Sequence, residues 1–259
     1  MTILLWVLLA LTAGPFLWYG IRAFVTDRFV IKGESMVPTL HTGQGVWVNK
    51  LLMGPRIYTK FDFDSPELHC IRLPGLRKLR VGDVAIFNYP YARGGDTIAF
   101  KINYVYCKRC WGTPGDTVRI VGGRLETPGQ AGDDDWMKGF ERMRQTPDSL
   151  LLRMRMLRAG QFAGEGERWT IKDFGPIVVP KRGMTIVLDC VARRRYGRVI
   201  RWEMGATVGE FPHSSPAFPT YTFRQDWYFF VGDNLAYSHD SREFGFVPAD
   251  FVVGIVPGR

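Results

Sequence analysis

Hydrophobic positions fall into three patterns along the chain. Thr2 to Tyr19 is an almost unbroken apolar run, with Trp6, Trp18 and Tyr19 placed where aromatic rings sit near lipid headgroups. At ~1.5 Å rise per residue, this run continued to Ile21, with Arg22 snorkelling, reaches across a hydrocarbon core of about 30 Å. From Phe29 the pattern becomes short apolar stretches set between glycine, proline and aspartate, which reads as strands. Val46-Trp47-Val48 follows a turn at Thr42-Gly43, and Val84 to Phe87 follows Gly82-Asp83. Tyr104 to Arg109 runs toward the turn Thr113-Pro114-Gly115-Asp116, and Thr117 to Val121 supplies a hairpin arm before Gly122-Gly123. The third pattern, from Asp133 to Leu157, is charged and methionine-rich and predicts a short helix over Pro147 to Met154. Strand character returns at Val178-Val179, Thr185 to Leu188 and Val199 to Trp202. Trp227 to Val231 reads as a buried strand, and Phe251 to Val256 as the strand that closes the sheet.

These elements predict a mainly β fold: an antiparallel β-sheet core with an inserted cap region and one N-terminal transmembrane helix. The expected division is an anchor over 1–22, a first part of the core over 23–121, the insertion over 122–223 and a second part of the core over 224–259. A cleavable signal peptide is the rival reading of the first run. No basic region precedes it, it is long for such a peptide, and no small-x-small site followed by polar sequence comes after it, which favours an uncleaved anchor. Arg22, Arg28 and Lys32 follow the anchor, and the positive-inside rule alone would keep that side cytoplasmic.

Of the 259 residues 46% are apolar, enough to bury a core in one large or two small domains. The net charge of +9 admits an anionic partner. Its basic residues are dispersed, with Arg153, Arg155 and Arg158 in one segment, Arg193 to Arg195 in another and the acidic run Asp133 to Asp135 before both. No nucleic-acid motif accompanies them, so phospholipid headgroups are the expected partner and nucleic acid is not. Four cysteines are too few for a disulfide scaffold. Cys107 and Cys110, three apart on an expected strand, point to opposite faces, which disfavours a disulfide or a shared metal; no metal or organic cofactor is expected.

Three stretches carry candidate chemistry. Gly33-Glu34-Ser35-Met36-Val37-Pro38-Thr39-Leu40 sets a serine in a tight turn, where serines ordinarily bond local backbone. Lys108-Arg109-Cys110-Trp111-Gly112-Thr113-Pro114-Gly115-Asp116 and Gly232 to Arg242 follow in order. Together they resemble the conserved boxes of bacterial signal peptidase I, the membrane-bound serine/lysine endopeptidase that trims exported preproteins. The resemblance runs from about Arg22 to the carboxyl terminus and thins between the second and third boxes to scattered matches such as Phe174 to Pro180.

A serine hydroxyl needs a base, and the chain offers two kinds. His239 stands beside Asp240, but adjacent residues face opposite ways, and the family pattern has no functional histidine there. His41, His69 and His213 have no motif around them. Lys108 shares its strand face with Tyr106 and Cys110, and burial there lowers an amine's pKa; Arg109 points to the other face. The resemblance implies Ser35 as nucleophile, Lys108 as general base, Ser238 as the hydroxyl that orients the lysine, Asp240 and Arg242 as a supporting ion pair, and Asp233 and Asn234 as supports of the Ser238 loop. The chain departs from the pattern at Gly33, where some members have a serine, at Cys110-Trp111 and at Leu235. Substrate contacts are expected at Met36 and Tyr104.

The expected function is removal of N-terminal signal peptides from exported preproteins at the outer face of the cytoplasmic membrane, a side the resemblance implies against the charge rule. The alternatives are a dedicated processing peptidase of one secretion or conjugation system, and a non-catalytic anchored β-domain binding exported segments. A self-cleaving repressor shares the Ser/Lys chemistry, but the chain shows no DNA-binding segment.

Overall fold

The computed structural model describes residues 2–60, 62, 64–94, 97–126, 138–153, 162, 169–205 and 219–258. The acidic run Asp133 to Asp135, with Met154, Arg155, Arg158 and His213, lies outside them.

The chain opens with the 23-residue helix α1 (Thr2–Phe24). Counted over the described residues, no helix is long and apolar enough to cross a membrane. After α1 come the strands β1 (Thr26–Val30), β2 (Gly45–Asn49), β3 (Arg56–Tyr58), β4 (Cys70–Arg72), β5 (Val84–Asn88), β6 (Val105–Gly112), β7 (Thr117–Val121) and β8 (Arg124–Leu125). Helices α2 (Lys138–Gln145) and α3 (Asp148–Arg153) precede β9 (Phe174–Val178), β10 (Thr185–Val187), helix α4 (Cys190–Met204) and β11 (Thr220–Thr222). The chain ends through β12 (Trp227–Val231), α5 (Ser241–Phe244), β13 (Val247–Pro248) and β14 (Val252–Val256).

Seven strands make the main sheet, in the order β1-β2-β14-β5-β6-β12-β13, with antiparallel neighbours. Every residue of β5, β12 and β14 is buried, which is why these three read as continuous apolar runs, whereas β2 and β7 alternate. The sheet separates two cores. Ala85, Phe87 and Cys110 join the larger one, which also takes in Phe174, Tyr196, Ile200 and Phe223 of the expected insertion. Val84 and Ile86 face the smaller one, filled by Ile31, Met36, Leu40, Val46 and Val48.

Two strand readings are corrected. Val199 to Trp202 is helical: it lies in α4, where Asp189 accepts a hydrogen bond from the Ala192 N–H at the start and Gly205, with φ +66°, ends the helix. Tyr196, Val199 and Ile200 are buried at helical spacing, so caps and packing outweigh the strand preference of the Val-Ile pair. The last strand does not close the sheet: β14 lies inside it, between β2 and β5, and the edges are β1 and β13. Its five buried residues demand cover on both sides. Elsewhere β6 begins one residue later and runs three residues further than expected, and α3 falls within the expected Pro147 to Met154 helix.

Candidate active site

Ser35 sits on a loop moored from below. Met36 and Leu40, 1% and 0% exposed, are driven into the smaller core. The Val37 N–H donates to the Glu34 carbonyl and the Leu40 N–H to that of Met36. With its neighbours committed downward, Ser35 stays half-buried at the surface of a cavity of about 770 Å³.

Lys108 comes from β6, whose residues 105–108 are paired with β5 on one side. On the other side β12 pairs only from Arg109 onward, so among the described residues no strand occupies the edge beside Lys108. Tyr106 and Cys110 pack with the larger core and Cys107 with the smaller, the expected alternation. The Lys108 Nζ is hydrogen-bonded to the Ser35 Oγ and lies 5.5 Å from the centre of the Tyr106 ring. The residue is 4% exposed. Burial pushes its amine below the ordinary value of 10.5; Asp240 and Asp233 pull it back, while Arg242 adds to the lowering. A ring face attracts an ammonium by about 0.5–1 kcal/mol. Removing an ammonium from water costs several kcal/mol, so dehydration decides the sign.

The third stretch locks onto the other two. Asp233, fully buried, accepts from the Arg109 Nε (2.8 Å) and Nη2 (2.6 Å) and from the Thr39 hydroxyl (2.5 Å). The Arg109 Nη1 donates to the Gly82 carbonyl. The Asn234 N–H donates to the Ser35 carbonyl (3.0 Å), and its side-chain amide to that of Glu34 (3.1 Å). A side chain at Gly232 would collide with Ser238 and with the Ser35 carbonyl, so only glycine permits this approach. Asp240 and Arg242 form a two-pronged ion pair at 2.8 Å on both arms. Burial pushes the Asp240 carboxyl up, but Arg242, with help from Ser238 and Lys108, holds it below its ordinary value.

Ser238 is buried, and its Oγ has no partner in full hydrogen-bond geometry; it lies near enough to Asp240 to favour that carboxylate. Among the described residues no hydrogen bond joins it to Lys108. His239 is paired with Glu243 and Tyr89, and Asp240 turns to Arg242 instead of the imidazole. Met36, Tyr104 and Cys107 line the cavity that holds Ser35 and Lys108. All four cysteines are free, and no cluster of metal-binding side chains occurs among the described residues. Sequence reasoning missed Thr39 as a partner of Asp233 and His239 and Tyr237 as cavity walls. The position of Thr39 immediately after Val37-Pro38 was the available signal.

The class to which this layout belongs is that of the signal peptidases. The family model described as "Signal peptidase, peptidase S26" matches residues 2–258, and the chain belongs to that family. Among individual relatives, it is 36% identical over 101 residues to "Signal peptidase I" of Pseudomonas aeruginosa, covering 39% of this chain and 29% of that one. It is 27% identical over 172 residues to "Signal peptidase I P" of Bacillus subtilis subsp. natto, covering 66% of each. The match to "Signal peptidase I" of Leptolyngbya laminosa is 30% identical and covers 46% of this chain and 47% of that relative, about half its length. A solved signal peptidase I from Enterococcus faecalis V583 aligns over 70% of this chain and 98% of its own at 20% identity, with a TM-score of 0.33, too low to argue from.

Proposed function

We propose that this chain is a membrane-anchored serine endopeptidase that removes N-terminal signal peptides from exported preproteins, with Ser35 as nucleophile and Lys108 as general base. The observation that carries the reading is the contact between a dehydrated lysine amine and a serine hydroxyl at the wall of a cavity beside an unpaired strand edge.

The neutral Lys108 amine accepts the Ser35 proton as Oγ attacks the scissile carbonyl carbon. The ammonium then protonates the departing amine nitrogen, which leaves as the new N-terminus of the mature protein. A water molecule, deprotonated by the same amine, attacks the ester; its collapse frees the signal peptide's carboxylate and restores Ser35. The developing oxyanion is met by the Ser35 N–H; Gly33 contributes no hydroxyl, so backbone supplies the donor. Arg109, bound to Asp233, keeps its charge away from the amine. Asp240 and Arg242 brace the loop of Ser238, whose buried hydroxyl lies beside the Asp240 carboxylate. Asn234 and Asp233 fix the height of Ser35 relative to Lys108.

The preprotein enters as an added strand along residues 105–108 of β6, its side chains meeting Tyr104 and the cavity floor above the buried Met36. On this reading the apolar run within α1 holds the enzyme at the outer face of the cytoplasmic membrane. The end of α1 is tied to the sheet: Arg22 pairs with Asp27, and the Lys50 amine donates to the Arg22 carbonyl. The full chain in detergent is expected to cleave a synthetic signal-peptide substrate, and Ser35→Ala to abolish cleavage while keeping the fold. Equal cleavage by both proteins sinks the assignment.

A further inference from the structure

His239 is half-exposed at the cavity wall, yet both ring nitrogens are engaged. Nδ1 lies 2.8 Å from the Glu243 Oε2 and Nε2 lies 3.0 Å from the Tyr89 hydroxyl. With a neutral ring, Nδ1–H donates to the carboxylate and the tyrosine hydroxyl donates to Nε2. The imidazole stands edge-on to Tyr89, Tyr106 and Phe244. Tyr89 is stacked on Tyr106 at 4.5 Å and 19°, and Phe244, 3% exposed, props Tyr89 from the side. Contacts therefore run unbroken from Glu243 through His239, Tyr89 and Tyr106 to the Lys108 amine.

We propose that His239 and Glu243 are positioning residues that clamp the Tyr89–Tyr106 ring stack against Lys108 and so close that side of the amine to the water in the cavity. The kinetic arm of this proposal rests on the Ser35–Lys108 reading above. Tyr106 lines the open cavity and is only half-buried, so stacking alone leaves it free to slide. The hydrogen bond from Tyr89 to His239 fixes the outer ring, and Glu243 fixes the imidazole. The ionisable groups that face this assembly are Glu243 on α5, Tyr89 after β5, Tyr104 just before β6 and Tyr106 within it, with Arg198 of α4 acting on Tyr89. A clamp that fails admits water to Lys108 and returns its amine toward ordinary lysine behaviour.

The test is the pH profile of kcat/KM for the full chain in detergent with a synthetic signal-peptide substrate. His239→Ala and Glu243→Ala are expected to move the acid limb to higher pH, with kcat/KM at pH 7 down about tenfold per unit moved and recovering above the limb. Glu243→Gln, which keeps an oxygen acceptor for Nδ1–H, is expected to hold the wild-type profile. An acid limb that stays in place in both alanine variants, or activity lost equally at every pH, overturns the clamp. A second arm needs no turnover: the stability gained on Lys108→Met at pH 7 is expected to be smaller in the Glu243→Ala background than in the wild type. An equal gain in both backgrounds overturns the clamp. Absence of cleavage by the wild-type chain instead counts against the peptidase reading and leaves this second arm to decide.

Discussion

Asp233→Ala removes the shared acceptor of the three site stretches. In the native chain Arg109 is 2% exposed and Asp233 3%. The substitution leaves the guanidinium buried with its Gly82 and Thr39 contacts but deprived of the Asp233 carboxylate. Breaking such a pair by deleting one partner costs about 3–5 kcal/mol, because the surviving charge stays dehydrated. For a chain of this size each kcal/mol lowers Tm by roughly 2–4 °C, which gives a fall of about 6–20 °C. The double variant Arg109→Met/Asp233→Leu removes both charges and fills the space with apolar groups, and such replacements are often neutral. It leaves the Gly82 carbonyl short of a donor, at about 1–3 kcal/mol, and is expected to lie between the single variant and the wild type. Thermal unfolding of the full chain in detergent, followed by tryptophan fluorescence, reads all three. A single variant within about 3 °C of wild type, or a double variant as unstable as the single, refutes a buried charge as the cause.

Three further outcomes follow from the same contacts. Because burial lowers the folded Lys108 pKa below its ordinary 10.5, the unfolded chain binds more protons between the two values, and stability rises with pH across that window. Lys108→Met is therefore expected to be more stable than wild type at pH 7 while losing activity about 10²- to 10⁴-fold, with the stability gap closing as pH approaches 10.5 in guanidinium titrations. Gly232→Ala forces a methyl into Ser238 and the Ser35 carbonyl, and is expected to abolish cleavage in a chain whose circular dichroism still shows the β-fold. Glu203→Ala strips acceptors from the Tyr221 hydroxyl and the Trp227 indole N–H, the latter on a fully buried residue. It is expected to cost about 1–3 kcal/mol in unfolding experiments without changing kcat/KM.

The main strands were legible because burial on both faces writes itself as an unbroken apolar run; Val84 to Phe87 and Trp227 to Val231 needed nothing else. The three-residue strands β3, β4 and β11 and the two-residue β8 and β13 are too short to carry a period and went unread. Val199 to Trp202 misled because its β-branched pair was weighed without Asp189 ten residues earlier or Gly205 three residues later, and these set the helix. In the site, alternation along one strand was enough to place Lys108 with Tyr106 and turn Arg109 away. What the spacing could not show was the destination of Arg109, since Asp233 lies 124 residues downstream. Nor could it show that His239 reaches Tyr89, a contact 150 residues long in sequence.

The Arg109–Asp233 pair also explains why the strand edge is open where it is. β12 follows β6 as far as the Val231–Arg109 pair and then stops. Beyond that point Gly232 must pass close under Ser35, and Asp233 must turn to meet the guanidinium, so the backbone can no longer run alongside β6. The register of one ion pair therefore ends the sheet's pairing at Arg109. Lys108, the residue immediately before it, is the first on β6 whose outer edge a second chain can reach. The same bend brings the Asn234 N–H onto the Ser35 carbonyl, so the hydroxyl is set beside the amine by the feature that exposes the edge. The Lys108 amine, the Ser35 hydroxyl and the open edge of β6 are thus one construction, and shifting Asp233 by a single residue would displace all three together.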